Sequence, residues 1–296
     1  MADIHVVERR HGRTIFDRTV PPVLEVLPGA TVRFETGDSA YARMAGGESL
    51  QSIGLQNVNT VTGPVAIRGA EPGDVLRIEV LAIEIVRAWA VWIPGFGPLG
   101  SRTSTQQIKQ IPIADASLRL TETVAIPLAP MIGCIGVAPG AGQGSTLRPT
   151  YPFGGNMDLR ELSPGAILWL PVQVPGALLS IGDLHAAMGD GEPAHVSLEA
   201  AGAATVRVDV EKGRTLPFPR LRVGADTICV GMDDQPRLVP GGIAAAYQRA
   251  IDQAFDYLTV DCRLDPFTAY AYISGRVSTR FGGPAGSLVL AVVPDL

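Results

Sequence analysis

The sequence predicts a β-rich α+β protein, with a β-sandwich or barrel-like arrangement in its N-terminal and central parts and a smaller α/β part at the C-terminus. Glycine (34) and proline (24) are scattered through the 296 residues without a period, which indicates many tight turns between short strands. Residues 31–36 and 75–80 alternate apolar and polar side chains, as half-buried strands do. Convincing helical spacing of apolar residues occurs only late, over residues 241–257.

Turn signals support the first two strands. Residues 28–30 and 71–74 contain Pro-Gly pairs and precede the alternating segments directly. Residues 89–100 mix aromatic residues with glycines and are interpreted as a loop over a pocket. This stretch contains a Gly-x-Gly-x-x-Gly string, but Pro94 and Pro98 oppose the strand and the helix that a dinucleotide-binding motif needs.

The rest of the chain returns to strands and then ends in a mixed segment. Residues 132–174 and 196–211 read as strands and turns. A second short helix is expected over residues 265–274, because an aspartate that can cap it is followed by a proline at the first helical position. The apolar residues 287–293 predict a closing strand.

The chain lacks a linker of biased composition, so the domain boundaries are soft. We place one near residue 130 and another near residue 225. They divide the sequence into an N-terminal β domain (1–130), a central β region that carries the candidate metal site (131–225) and a C-terminal helix-plus-strand part (226–296).

Charge and cysteine content restrict the class of function. The net charge is −5 and no basic cluster is visible, which argues against a nucleic-acid partner. No apolar run approaches the ~20 residues that a membrane span needs. The three cysteines are far apart, and the N-terminal segment lacks the apolar core of a signal peptide. A small-molecule enzyme in the cytoplasm is therefore the expectation.

The densest group of polar residues lies between residues 182 and 192. Asp183 and His185 are two positions apart, so a regular strand would project both side chains from one face. The Gly189-Asp190-Gly191 segment can turn the chain sharply and return Glu192 towards that face. Aspartate, imidazole and glutamate are ligands of an open, catalytic metal site. The alternative is a β-hairpin whose acidic side chains are solvated and whose histidine only packs.

Apolar segments favour the metal site over that alternative. Residues 168–170 and 177–179 precede the cluster and indicate a buried strand that carries charge into the interior. A buried carboxylate needs a partner or a cation. The cofactor predicted is a divalent metal ion, typically Zn²⁺, with Ca²⁺ and Mg²⁺ as alternatives.

A second polar pair follows two glycines at residues 154 and 155. Asn156 and Asp158 can together recognise a carboxamide, because the asparagine NH₂ can donate to the carbonyl oxygen and the aspartate can accept from the nitrogen. The alternative is an Asx turn that ends a loop.

An ordered series of motifs resembles the acetamidase/formamidase family over about residues 30–192. The motifs, given as they stand in this chain, are RFET at 33–36, TGPV at 62–65, GAEPGDVL at 69–76, IPGFG at 93–97, IGVAP at 135–139, GGNMD at 154–158, LPVQVPGA at 170–177 and GDLHAAMGDGE at 182–192. Each string alone is weak, but the collinear set is specific. The resemblance implies a β-rich fold with an α/β C-terminal part, assembly as a homo-oligomer (dimer or higher), a bound metal, and hydrolysis of short amides to an acid and ammonia.

Carried over by position, the resemblance implies that Asp183, His185 and Glu192 are metal ligands. It places Asn156 and Asp158 in the site as well. In the working mechanism the ion activates a water, Asn156 stabilises the oxyanion, and one of Asp158, Asp190 or Glu35 passes a proton to the leaving nitrogen. The substrate-binding candidates are Trp92, Phe96 and Asn59.

Two departures from the family pattern flank the site. Asn59 and Thr60 stand where the family usually shows His-Pro, and residues 193–195 (Pro-Ala-His) stand where it usually shows Val-Cys-Gly. Three functions therefore remain open. They are a hydrolase of small linear amides, a hydrolase of a bulkier or cyclic amide, and a non-catalytic ligand-binding homologue of the same fold.

Overall fold

The computed structural model describes residues 3–148, 152–232, 242–283 and 287–296. Their strands are β1 (Ile4–Val7), β2 (Gly12–Arg13), β3 (Ile15–Asp17), β4 (Leu24–Val26), β5 (Thr31–Thr36), β6 (Val61–Ile67), β7 (Val75–Trp92), β8 (Gln107–Ile111), β9 (Ile113–Ala114), β10 (Ser117–Arg119), β11 (Ala125–Pro127), β12 (Met131–Gly136), β13 (Gln143–Ser145), β14 (Gly154–Asn156), β15 (Ile167–Pro171), β16 (Leu179–Ala187), β17 (Leu198–Glu211), β18 (Arg220–Val223), β19 (Asp226–Met232), β20 (Ser278–Gly282) and β21 (Leu288–Val293). Their α-helices are α1 (Ser39–Ala45), α2 (Leu50–Ile53), α3 (Ile243–Asp256) and α4 (Pro266–Arg276).

One large sheet dominates the architecture. Within the described ranges it has 16 strands, and its central path runs β14-β12-β16-β17-β7-β15-β18-β19-β21-β20. Every neighbouring pair on this path is antiparallel. Branch pairings of β5 with β17 and of β6 with β16 fold the sheet over a shared apolar core. The β-rich fold class predicted from the sequence is confirmed.

The three predicted segments all contribute to this sheet. Phe34, Ile135 and Val230, one from each segment, belong to the same buried apolar cluster. The boundaries near residues 130 and 225 stay predictions.

The longest strand, β7, shows why part of the predicted loop is wrong. Its first residues alternate as expected, and the turn before it is closed by the Asp74 carboxylate, which accepts a hydrogen bond of 2.8 Å from the backbone N–H of Glu71. Trp89 and Trp92, however, lie in the strand and not in a loop. They pair with residues of β8, so strand pairing extends β7 to Trp92 and the turn begins only at residue 93.

The C-terminal part contains the two predicted helices, of which α3 packs against the sheet and α4 packs against α3. Ala246, Ala250 and Ala254 form the buried stripe of α3, and a Cβ on Gly231 of β19 would lie 2.0 Å from the Ala246 carbonyl oxygen, so glycine permits the close packing. The predicted start of this helix at residue 241 lies outside the described residues. Asp265 caps α4 by accepting hydrogen bonds from two backbone N–H groups, at 3.1 and 3.2 Å.

The early helices α1 and α2 were not expected from the sequence. They span 7 and 4 residues, which is too short for a helical period to stand out. Ala40, Tyr41, Met44 and Ile53 pack with Trp89 in a small apolar cluster on one face of the sheet. This cluster lies beside the site described below.

The sequence has no apolar run long enough for a membrane span and has three cysteines that are far apart in the chain. None of the helices in the described ranges is long and apolar enough to cross a bilayer. Cys134, Cys229 and Cys262 are free thiols.

Candidate metal centre and active site

The site is built on a row of residues that face each other across adjacent strands. His185 of β16 lies directly opposite Glu199 of β17, and Glu199 lies directly opposite Trp89 of β7. Residues in such positions project their side chains from the same face of a sheet. His185 is only 1% exposed, so its imidazole lies in the interior.

Four carboxylates surround this imidazole. His185 Nε2 is 3.8 Å from Asp158 Oδ1, 3.7 Å from Asp183 Oδ2 and 3.6 Å from Glu199 Oε2. A carboxylate oxygen of Glu192 lies within 4.8 Å of the ligand atoms of His185 and Glu199. All five side chains are buried. We call this group the His185 cluster.

The backbone reaches this arrangement through unusual conformations. Asp158, Asp183 and Glu192 have φ angles of 41°, 53° and 44°, in the left-handed region that side-chain-bearing residues seldom adopt. The explanation that Asp183 and His185 project from one face of a regular strand is therefore wrong, although both residues do reach the same site. Non-glycine residues in this region persist where their surroundings hold them, and they concentrate at functional sites.

Gly133 of β12 forms one wall of the cluster. A Cβ at this position would lie 2.7 Å from Asp158 Oδ1, 2.7 Å from the Asp183 carbonyl oxygen and 2.9 Å from His185 Cε1. These distances are shorter than ordinary van der Waals contacts, so only glycine fits without displacing a member of the cluster. The backbone of Gly133 also accepts the N–H of Asp158 at 3.0 Å.

The buried charges perturb one another. Burial, reinforced by Glu192, raises the pKa of Asp158 well above the ordinary value, and burial raises the pKa of Glu192 to about 8. Burial also raises the pKa of Glu199. Burial lowers the pKa of His185, but Glu199 and Asp183 outweigh this effect and raise it well above the ordinary value. A bound cation would compensate the buried charge of these groups and oppose the rise in the pKa values of Asp158, Glu192 and Glu199.

The donor set of the cluster fits a divalent cation. In a tetrahedral site, two ligand atoms that each lie about 2.1 Å from the ion are about 3.4 Å from one another. The distances from His185 Nε2 to the three nearest carboxylate oxygens are close to this value. Among the described residues, Asp158 Oδ1 and His185 Nδ1 are buried without a hydrogen-bond partner. Carboxylate oxygens with one imidazole suit Zn²⁺ and harder divalent ions alike. The cluster can hold a metal ion.

A cavity of about 490 Å³ opens onto the cluster through Glu192, the cluster member among its lining residues. Most of its other lining side chains are apolar, including Ile126, Pro127 and Leu198. Trp92 and Phe96 line a neighbouring cavity of about 200 Å³, which shares Val91, Ala194 and Val196 with the larger one.

The sequence profile of the Acetamidase/Formamidase family matches residues 5–142 and 141–284. The chain belongs to this family. Its amidohydrolase class, acting on linear amides, is thereby confirmed.

Individual members of the acetamidase/formamidase family agree with the profile. An acetamidase from Mycolicibacterium smegmatis is 25% identical over 80% of this chain and 72% of the relative. A putative formamidase from Schizosaccharomyces pombe is 27% identical over 65% of this chain, which spans 62% of that relative's length. The crystal structure of an acetamidase from Bacillus halodurans superposes with a TM-score of 0.87 at 31% identity, covering 98% of this chain and 97% of that chain.

The structure of this family member brings several predicted residues together. Asp183, His185, Glu192 and Asp158 are members of the cluster. Asn59 donates a hydrogen bond of 2.9 Å from Nδ2 to Asp183 Oδ2.

Asn156 is buried in β14, which pairs with β12 on the far side of that strand from β16. It precedes Asp158 by two residues.

Other candidates lie elsewhere. Asp190 is 42% exposed, forms an ion pair of 2.7 Å with Arg160 and belongs to neither group of potential metal ligands in the described residues. Glu35 is half-buried in β5, and it belongs to neither group of potential metal ligands found in the described residues. Strand β5 pairs with β17 at Gly202–Arg207, beyond the position of Glu199, which explains why Glu35 does not reach the cluster.

Trp92 and Phe96 line the smaller cavity and do not line the larger cavity that reaches Glu192. The Phe96 ring meets the ring of His195 edge to face, with the ring centroids 6.4 Å apart. His195, a departure from the family pattern, therefore packs against a lining residue of this smaller cavity and is not itself one of its lining residues.

Sequence reasoning missed Glu199 and Tyr41. Glu199 lies at the start of β17, and its closeness to His185 depends on strand register, which the local pattern does not reveal. Tyr41 of α1 donates a hydrogen bond of 2.8 Å to Glu199 Oε2. Its only local signal is the helix-prone stretch after Asp38.

Contacts from distant segments support the cluster. The Arg160–Asp190 pair links the segment after Asp158 to the turn before Glu192. The N–H of Gly283, which follows β20, donates to the Asp158 carbonyl oxygen at 3.2 Å, and Arg280 of β20 forms an ion pair of 2.6 Å with Glu161.

Proposed function

We propose that this protein is a metal-dependent hydrolase that cleaves the C–N bond of a small carboxamide to an acid and ammonia. The observation that carries the proposal is the His185 cluster, in which four buried carboxylates surround one imidazole at the end of a largely apolar cavity. Structural ion pairs rarely place so much like charge in one buried position, whereas metal sites require it.

The ion would be held by Asp183, His185, Glu192 and Glu199, and we propose Zn²⁺. When bound, such an ion polarises a carbonyl group and lowers the pKa of water. The N–H groups of the Asn156 amide are assigned to the oxyanion that forms at the substrate carbonyl.

Asp158 is assigned the proton transfer to the leaving nitrogen. Of the three carboxylates considered for this step, it is the one that lies in the cluster. Burial raises the pKa of Asp158, which favours the protonated carboxyl group that a proton donor needs.

The size and lining of the larger cavity support an amide with a short acyl group as the substrate. Its volume of about 490 Å³ has room for formamide, acetamide and somewhat larger amides. Ile126 and Leu198 offer apolar contacts to an alkyl chain, and Glu192 lies at the polar end, where the amide would meet the cluster.

The decisive experiment combines metal analysis with an ammonia-release assay. The purified protein is incubated with formamide, acetamide, longer linear amides and a cyclic amide, with and without a chelator. We expect ammonia from at least one linear amide, loss of activity with the chelator and recovery on adding Zn²⁺.

His185→Ala should remove both the metal and more than about 99% of the activity, because three carboxylates lose their shared partner. His5→Ala, a substitution in the exposed strand β1, is the matched control and should behave as wild type. A folded, metal-free His185→Ala variant with full activity would exclude the mechanism. A metal-loaded wild-type protein that releases ammonia from none of the amides would indicate the non-catalytic homologue instead.

We also propose that the protein is cytoplasmic and forms a homo-oligomer of two or more subunits. The three free thiols support a reducing compartment. Phe267 and Tyr270 of α4 are 78% and 64% exposed, and such aromatic side chains are common in subunit contacts. Light scattering on the purified protein measures the subunit number, and a monomer at all concentrations would refute the assembly.

A further inference from the structure

Tyr41 connects helix α1 to the His185 cluster. Its side chain is 6% exposed, and its hydroxyl donates a hydrogen bond of 2.8 Å to Glu199 Oε2. The phenol is the donor in this contact because a carboxylate oxygen can only accept.

The helix that carries Tyr41 is fixed to the sheet beside this contact. The Asp38 carboxylate, just before α1, accepts hydrogen bonds from Trp89 Nε1 at 2.8 Å and from Arg87 at 2.7 and 2.9 Å. Trp89 and Glu199 are direct neighbours across β7 and β17. Helix α1 is therefore anchored at two adjacent points of the sheet, and one of them is a member of the cluster.

The two oxygens of Glu199 have separate partners. Oε1 accepts from the backbone N–H and the hydroxyl of Ser197, at 3.1 and 3.2 Å. Oε2 accepts from Tyr41 and is also the atom that lies 3.6 Å from His185 Nε2. Tyr41 thus hydrogen-bonds to the Glu199 oxygen that lies nearest His185 Nε2.

We propose that Tyr41 is a positioning residue that holds Glu199 Oε2 towards His185 and thereby sets the affinity of the cluster for a divalent cation. The inference rests on the proposed function, because it assumes that the cluster binds the ion. Groups that hydrogen-bond to metal ligands commonly contribute about 10–100-fold to metal affinity by fixing ligand orientation.

The test is Tyr41→Phe, which keeps the ring that packs against Met44 and Trp89 and removes only the hydroxyl. Zn²⁺ affinity is measured by competition with a chromogenic chelator, alongside the thermal unfolding midpoint of the metal-free protein. We expect Zn²⁺ binding to weaken about 10–100-fold with the fold intact. Tyr272→Phe is the matched control, because it removes a tyrosine hydroxyl that donates to the Pro294 carbonyl oxygen at 2.9 Å, and its Zn²⁺ affinity should be unchanged.

Two further variants separate positioning from simple support of the fold. In a Glu199→Gln background, Tyr41→Phe should have little additional effect on Zn²⁺ affinity, because the charged acceptor is gone. Asp38→Asn weakens the anchoring of α1 but keeps the Tyr41 hydroxyl. A purely structural role predicts that it weakens Zn²⁺ binding at least as much as Tyr41→Phe does, whereas positioning predicts a smaller effect.

The outcomes are distinguishable. A wild-type protein that does not bind Zn²⁺ overturns the proposed function and this inference with it. A wild-type protein that binds Zn²⁺, with a Tyr41→Phe variant of equal affinity, overturns the inference alone. Failure of Tyr41→Phe to fold also overturns it, because positioning predicts an intact fold.

Discussion

Replacing Gly133 by alanine tests whether the His185 cluster depends on close packing against β12. The added methyl group would begin 2.7 Å from Asp158 Oδ1, 2.7 Å from the Asp183 carbonyl oxygen and 2.9 Å from His185 Cε1. The backbone at Gly133 is not among the glycines with a positive φ, so the effect of the methyl group is steric and not conformational.

The magnitude follows from those distances. To reach ordinary contacts of about 3.5 Å, the three atoms or β12 itself must shift by a large part of an ångström. Overpacking of this kind costs about 1–3 kcal/mol of folding free energy. For a chain of 296 residues, that loss lowers the unfolding midpoint by about 2–5 °C. Metal ligands tolerate displacements of only about 0.2 Å, so Zn²⁺ binding should weaken more strongly than the stability change alone implies.

The assay measures thermal unfolding by circular dichroism and Zn²⁺ affinity by chelator competition. Gly275→Ala is the control, since Gly275 lies in α4 with open space around the position of its Cβ. Alanine there should leave the stability unchanged or raise it by about 0.5–1 kcal/mol. A Gly133→Ala variant with the wild-type midpoint and the wild-type Zn²⁺ affinity would refute this account of the cluster.

Two further substitutions concern residues near the cluster. Asn59→Ala removes the hydrogen-bond donor to Asp183 Oδ2 and should weaken Zn²⁺ binding about 10–100-fold, as measured by chelator competition. An unchanged affinity would show that Asn59 does not hold this carboxylate. Asp190→Ala breaks an exposed ion pair with Arg160 and should lower the free energy of unfolding by at most about 1 kcal/mol. Ammonia release should stay close to that of wild type. A loss of activity of about 100-fold or more would instead make Asp190 the proton donor.

The β-rich fold can be predicted from short segments of sequence because the patterns that indicate its strands and helices each lie within a few residues. Alternation in β5 and β7, the Asp265 cap of α4 and the alanine stripe of α3 each arise within a few residues. The error at Trp89 has a different origin. Whether those residues form a loop or the end of a strand depends on pairing with β8, which is formed about 20 residues later in the chain.

The same distinction applies to the site. Glu192 was predicted because the glycines beside it visibly turn the chain, and Asp183 because it is close to His185 in sequence. Glu199 enters through the register of β17 and Tyr41 through a helix of seven residues, and neither feature can be read from a short window. Asp190 was a reasonable candidate by position, but a nearby arginine binds its carboxylate on the surface.

The contacts between the C-terminal strands and the segment after Asp158 have a consequence for biosynthesis. Gly283 and Arg280 secure the backbone around Asp158, yet they are made long after it. At translation rates of about 5–20 residues per second, about 5–20 s separate the appearance of His185 from that of Gly283. The nascent chain therefore exposes an unfinished set of acidic and imidazole ligands during that interval, and the centre acquires these supporting contacts only after residue 283 has been synthesised.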